Sequence, residues 1–184
     1  MPTSDKRMQM EPQMNVGIVE RAGELEQILA LQQTSLVETR DGFVTVRHTL
    51  AILEAMHATL PSVVARDDAG RVVGYALSMA QTIAPLLPVL GPMFARLARL
   101  PTLASRRWYV MGQVCVAEAW RGRGVFDALY ATHRAVYSPR FDCLVTEIAT
   151  RNPRSLRAHA RVGFVEIDRY RDETDEWSVV GWSW

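Results

Sequence analysis

A strand that gives way to a glycine-rich loop and then a helix can bind an anion with its own backbone, and the segment VCVAEAWRGRGVFDALY has that order. Arg121, Gly122, Arg123 and Gly124 form the loop. Glycine lets the chain approach a phosphate closely, the first N–H groups of a helix lack intrahelical partners, and the helix dipole puts partial positive charge there. The two arginines add full charges. Spacing excludes other phosphate loops: no Gly-Lys-Ser/Thr follows, and a dinucleotide fingerprint begun at Gly122 would need glycine where Asp127 stands. Taken alone, the loop also reads as a tight strand-to-helix turn without a ligand. Further along, TEIATRNPRSLRAHARVGFVEID carries Glu147, Asn152, Ser155 and His159 in a strand, helix, Gly-Phe, strand order. Side chains of these types can hold amide groups or move protons. The histidines and cysteines show no metal-ligand spacing, so no metal is expected. Cys115 and Cys143 lie in apolar runs and read as reduced packing residues.

Together the two segments resemble the GNAT superfamily of N-acetyltransferases. Its acyl-CoA pyrophosphate motif runs Arg or Gln, two residues, Gly, one residue, Gly or Ala. Arg121 and Gly124 match the first and fourth positions, and Phe126 stands at the last. A second signature places a tyrosine seven residues after an asparagine and before a Gly-Phe pair; here Asn152, His159, Gly163 and Phe164 fill those places, with histidine for tyrosine. The resemblance covers residues 15–184 in element order, its motifs falling between Val114 and Phe164. It implies acetyl-CoA as co-substrate, with the pyrophosphate cradled by Arg121, Gly122, Arg123, Gly124, Val125 and Phe126. The pantetheine arm would bond like an added strand to the backbones of Val114, Cys115 and Val116, with Asn152 and Ser155 beside it. The fold implied is α/β (α+β): a mixed, mostly antiparallel sheet flanked by helices, with a parallel, splayed strand pair at the acyl-CoA site.

The reaction implied is transfer of the acetyl group to a primary amine by direct attack in a ternary complex. An amine of pKa near 10.4 is mostly protonated at neutral pH, and freeing its lone pair costs about 4 to 5 kcal/mol, so a base or a water chain is required. Glu147, in the strand that precedes Asn152, is the expected base. A histidinium at His159 is the expected acid for the departing thiolate; the plainer reading is a histidine that orders the thiol end or packs between helix and sheet. A backbone N–H near Val114 to Val116 would steady the oxyanion. His48, His57 and His133 fall in helical patterns and read as packing or surface residues.

Positioning these groups requires the following elements. Residues 1–14 show no period and read as a flexible tail before one domain over 15–184. Strand composition begins at Val16, a turn is expected at Ala22 and Gly23, and helical spacing runs from Glu24 and again over Val44 to Leu60. SVVARDDAGRVVGYALSM reads as a hairpin turning at 67–70. Residues 81–107 form an unusual proline-rich insertion with a short helix expected over Pro92 to Leu100, read as a substrate-side cover, a connector or a dimer contact. Beyond it the expected order is strand 108–116, helix 125–137, strand 141–149, helix 153–162, strand 164–170 and a last strand that puts Trp182 and Trp184 on one side.

With 184 residues, 48% of them hydrophobic, the chain suffices for one domain with a core. A net charge of +1 gives no global case for nucleic acid or an anionic membrane, and the N-terminus has no signal-peptide apolar core, so a cytoplasmic protein is expected. The acceptor is a small-molecule or peptide amine that the sequence does not name, and a homodimer through the insertion and terminal strand rests on fold analogy. Two other readings stay open: a non-catalytic acyl-CoA-binding module that kept the cradle, and a partner-binding domain using the Trp-rich terminal strand.

Overall fold

The alternating apolar runs become strands of one twisted sheet in a computed structural model that describes residues 14–37 and 46–184. The expected tail lies outside the described residues except for Met14, as does Val44. The strands are β1 (Asn15–Ile18), β2 (Val63–Arg66), β3 (Val72–Met79), β4 (Trp108–Val116), β5 (Cys143–Ala149), β6 (Val165–Arg171) and β7 (Glu176–Ser183). They lie side by side in the order β1-β2-β3-β4-β5-β7-β6. Every neighbouring pair is antiparallel except β4 and β5, which run parallel because a helix connects them.

The helices are α1 (Glu24–Val37), α2 (Leu50–Thr59), α3 (Gly91–Leu97), α4 (Val125–Tyr137) and α5 (Pro153–Val162). One face of the sheet packs Ile28 of α1, Leu53 and Met56 of α2 and Phe94 and Leu97 of α3 over Val64, Tyr75, Leu77 and Val145. The other face packs Val125, Leu129 and Tyr130 of α4 over Tyr109, Met111, Leu144 and Ile148, with Phe164 and Trp182 closing that layer. Side chains this size contribute about 1.5 to 3 kcal/mol each when fully buried, so the two layers fix the sheet between them.

Three expectations change in detail. The second helix begins at Leu50 with Thr49 as its cap, and Val46 to Thr49 are not helical. The Val46 carbonyl accepts from Gln113 Nε2 at 3.0 Å and the His48 N–H donates to Gln32 Oε1 at 3.0 Å, so side chains on the sheet and α1 hold this backbone extended. The short helix of the insertion ends at Leu97, three residues early. Residues 81–107 are more than a simple connector: Ile83, Leu87, Met93, Phe94, Leu97 and Leu103 are each at most 6% exposed and form part of the core. Arg96 anchors the segment to the far edge strand, donating to Asp168 at 2.5 Å. Leu86 and Val89 remain exposed on its outer side.

The parallel pair is short. Trp108, Tyr109 and Val110 pair with Cys143, Leu144 and Val145, and there the ladder stops. One residue later β4 carries a bulge: Gln113 faces Leu77 and Met111 faces Ser78, leaving Gly112 extra. A bulge bends the strand that carries it, and β4 turns away from β5. Gly112 also lies against the fully buried Met79, whose terminal methyl would sit 2.4 Å from any Cβ placed there.

Candidate active site

Each wall of the site follows from how its sequence folds locally. At the end of β4 the chain makes one 3-10 turn (Glu118–Trp120) and then the glycine turn, where Gly122 and Gly124 take φ of 74° and 76°. Side chains avoid that region, and a Cβ at either position would meet no protein atom within 4 Å. The glycines therefore answer to backbone angle and to whatever approaches from outside. The first i to i+4 bond of α4 runs from Ala128 N–H to the Gly124 carbonyl, which leaves the N–H groups of Val125, Phe126 and Asp127 without helical partners. Asp127 puts a negative charge beside this positive helix end, and Arg161 pairs with it at 2.8 Å.

The helix α5 starts on a built cap. Asn152 Oδ1 accepts from the Ser155 N–H at 3.1 Å, Pro153 takes the first helical position, and Gly163 at φ 117° ends the helix. Between the glycine turn and α5 lies a cavity of about 590 Å³ lined by Arg121, Gly122, Gly124, Val125, Phe126, Asn152 and Ser155. Arg154, Arg157 and Arg161 of α5 line it as well. Arg123 lies instead over the Trp120 ring, 5.5 Å from its centroid, while Arg121 Nε donates to the Val116 carbonyl at 3.3 Å. The backbones of Val114, Cys115 and Val116 pair on one side with Ala76, Tyr75 and Gly74. Their other side faces the splay, where no β5 residue pairs with them.

A narrower cleft of about 90 Å³ opens where β4 and β5 separate, lined by Gly112, Gln113, Glu147 and His159 among others. The sequence-expected Glu147 and His159 are thus brought to one place. Tyr170 Oη donates to Glu147 Oε2 at 2.5 Å. Burial pushes the Glu147 carboxyl above its usual range; the Tyr170 hydrogen bond opposes this, and the charge of Asp172 adds to it. The Arg96 guanidinium lies 4.6 Å from the Tyr170 ring centroid, so the insertion backs this carboxylate.

His159 is 2% exposed. Its Nδ1 lies 2.8 Å from the Ser155 carbonyl and its Nε2 lies 2.6 Å from Tyr130 Oη. Burial takes its pKa down to about 4, against the opposing pull of the Ser155 carbonyl. The ring is neutral at physiological pH, and the histidinium expected from the sequence gives way to a hydrogen-bonded imidazole. Phe126 touches it edge-on, with ring centroids 5.2 Å apart. The two departures from the GNAT motifs are therefore in contact with each other.

Several groups at the site were not singled out in the sequence. Tyr130 reads there as an apolar helix position and Tyr170 as a strand residue, and neither spacing announces the partner it meets. Gln113 Oε1 accepts from Gln32 at 2.8 Å and from Tyr75 at 2.5 Å, a buried knot beside the cleft that joins β4, α1 and β3. His133 is buried against Tyr109, its Nδ1 3.1 Å from the phenol oxygen. Among the described residues His48 is buried with neither ring nitrogen hydrogen-bonded. Neither Cys115 nor Cys143 is in a disulfide, and Cys115 Sγ lies 2.8 Å from Ser35 Oγ. Among the described residues no three His, Cys, Asp or Glu side chains gather as metal ligands, and no helix is long and apolar enough to cross a membrane.

A ladder that stops after three parallel pairs, next to a glycine turn feeding a helix, is the arrangement the resemblance implied, and solved structures superpose on the chain as a whole. A GCN5-related N-acetyltransferase from Kribbella flavida superposes with a TM-score of 0.65 at 17% identity, covering 93% of this chain and 98% of its own. The chain has the GNAT fold. The ribosomal-protein-S18-alanine N-acetyltransferase of Escherichia coli gives 0.63 at 11% identity, over 93% of this chain and 94% of that one. YncA of Salmonella typhimurium, solved with its cofactor acetyl-CoA, gives 0.63 at 16%, over 92% and 93%. No protein-family model matches the sequence, and no curated protein matches it. At these identities the GNAT likeness is one of architecture.

Proposed function

We propose that the protein is an N-acetyltransferase that takes acetyl-CoA and acetylates a primary amine of a small molecule or peptide by direct attack. One observation carries this reading: the cavity beside the glycine turn and the cleft holding Glu147 share a wall, made of Val114, Asn152 and Ser155. A ligand anchored by phosphates at one end can therefore reach the half-buried Glu147 carboxylate with the other.

The residues present fit an acyl-CoA. Arg121 and the free N–H groups of Val125 to Asp127 would hold the pyrophosphate, with Gly122 and Gly124 allowing close approach. The edge of β4 at Val114 to Val116 that faces the splay would receive the pantetheine amides, and the side-chain NH2 of Asn152 would add a donor. Bound acetyl-CoA supplies the activated acyl group as a thioester. Glu147 removes the amine proton, for which a carboxylate of raised pKa is a better base than an ordinary one. Backbone N–H groups on the splayed edge of β4 would stabilise the developing oxyanion. Neutral His159 orders the residues around it.

Thiol release over a panel of amines, with acetyl-CoA as donor, tests the reading. A turnover that depends on one class of amine and falls sharply in Glu147→Gln supports it. Tight acetyl-CoA binding with no turnover on any amine would favour the non-catalytic module, a reading to which the histidine at the tyrosine position lends weight.

A further inference from the structure

Val114, Asn152 and Ser155 mark where a linear ligand would pass from the glycine turn to the cleft, because among the described residues these three line both cavities. Val114 is apolar, and Asn152 commits its carbonyl oxygen to the Ser155 N–H at 3.1 Å. The Asn152 side-chain NH2 and the Val114 backbone are taken up with the pantetheine amides in the reading above, which leaves Ser155 Oγ as the side-chain donor of the shared wall for the sulfur end.

The orientation of that hydroxyl follows from the histidine behind it. His159 Nδ1 lies 2.8 Å from the Ser155 carbonyl oxygen and 3.3 Å from Ser155 Oγ. A carbonyl oxygen can only accept, so Nδ1 carries the ring hydrogen and donates. In the neutral ring Nε2 then has no hydrogen and accepts from the Tyr130 phenol at 2.6 Å. Neither nitrogen has a hydrogen to give to a ligand. Toward a ring whose Nδ1 carries the hydrogen, Ser155 Oγ can only accept, which leaves its own hydrogen to be donated to a group in the cavities that Ser155 lines.

We propose that Ser155, rather than His159, presents the hydrogen-bond donor to the departing sulfur, and that His159 is the residue positioning it. The proposal rests on the acetyltransferase reading above. As the amine nitrogen bonds to the carbonyl carbon, the carbon–sulfur bond breaks and its electron pair stays on sulfur. The amine proton passes to Glu147, and the thiolate later takes a proton from solvent. A thiol of pKa about 8.5 leaves readily as an anion, so one hydrogen bond to the forming charge suffices and no side chain has to surrender a proton to it. That requirement suits a hydroxyl better than it suits an imidazole whose two nitrogens are already engaged.

The deciding experiment titrates the thiol of bound CoA by its ultraviolet thiolate absorbance on the wild type, Ser155→Ala and Ser155→Thr. The alanine variant should raise the bound thiol pKa by about one to two units, and threonine should restore most of the difference. In the same alanine variant kcat should fall about 10- to 100-fold while KM for acetyl-CoA stays within about threefold. Equal thiol pKa on wild type and Ser155→Ala, both binding CoA, would overturn the role of Ser155 and leave the transferase reading standing. A folded wild type that binds no CoA would remove both.

Discussion

Glu147 and the side chains around it set the expected pH dependence. As a base Glu147 must be ionised, and burial raises its pKa, so activity should fall as pH drops through that raised value. Tyr170→Phe removes a hydrogen bond that favours the ionised form and should move this acid limb to higher pH. Glu147→Gln should abolish the limb and lower kcat by about 10²- to 10⁴-fold. A pH–rate profile whose acid limb survives unchanged in Glu147→Gln would remove Glu147 from the mechanism. Phe126 and His159 belong to the same residue-scale account. They meet at 5.2 Å between centroids, so reverting either to its family residue alone should cost more than reverting both. Catalytic rates for Phe126→Ala, His159→Tyr and the double variant check this, and strict additivity would contradict it.

The two glycine positions of β4 and its loop separate packing from ligand approach. Gly112→Ala drives a methyl into buried Met79 and should destabilise the protein by about 1 to 3 kcal/mol in denaturant unfolding. Gly124→Ala meets no protein atom but must adopt φ near 76°, which costs roughly 1 to 2 kcal/mol, and it should weaken acetyl-CoA binding as well. Most of these elements were legible in the sequence, because strands 108–116 and 143–149 and helices 125–137 and 153–162 carry strong periodicity with glycine, asparagine or proline at their ends. The cradle was legible for the same reason, since glycines between a strand and a helix have a local meaning. What escaped was long-range: Gln113 and Gln32 holding Val46 to His48 out of helix, the insertion turning inward as core, Tyr170 of β6 reaching Glu147 past β7, and Tyr130 of α4 meeting His159 of α5. No local pattern encodes a partner that sequence places 23 or 29 residues away.

Across the whole molecule, a net charge of +1 conceals an uneven distribution. Among the described residues lining the larger cavity are Arg121, Arg154, Arg157 and Arg161 with the acid Asp127, so acetyl-CoA affinity should fall several-fold as salt rises from about 0.05 to 0.5 M. An affinity indifferent to salt would contradict that placement. The buried pair Glu24–Arg66 joins α1 to β2 at 2.5 Å and governs stability in acid. Burial alone would raise the Glu24 carboxyl, but hydrogen bonds from Arg66 and from the Glu20 and Arg21 N–H groups, with the Arg66 charge, hold it at about 2 instead of 4.5. The stability this contributes, roughly 3 kcal/mol, is complete above pH 4.5 and is lost as pH falls toward 2. Thermal melts of wild type and Glu24→Gln should therefore differ at neutral pH and converge in acid. The most direct test of the central claim is a calorimetric titration of the protein with acetyl-CoA, with Arg121→Ala and Gly124→Ala alongside. The account predicts micromolar binding by the wild type that weakens about tenfold or more in each variant, whereas a folded wild type that takes up no acetyl-CoA would contradict it.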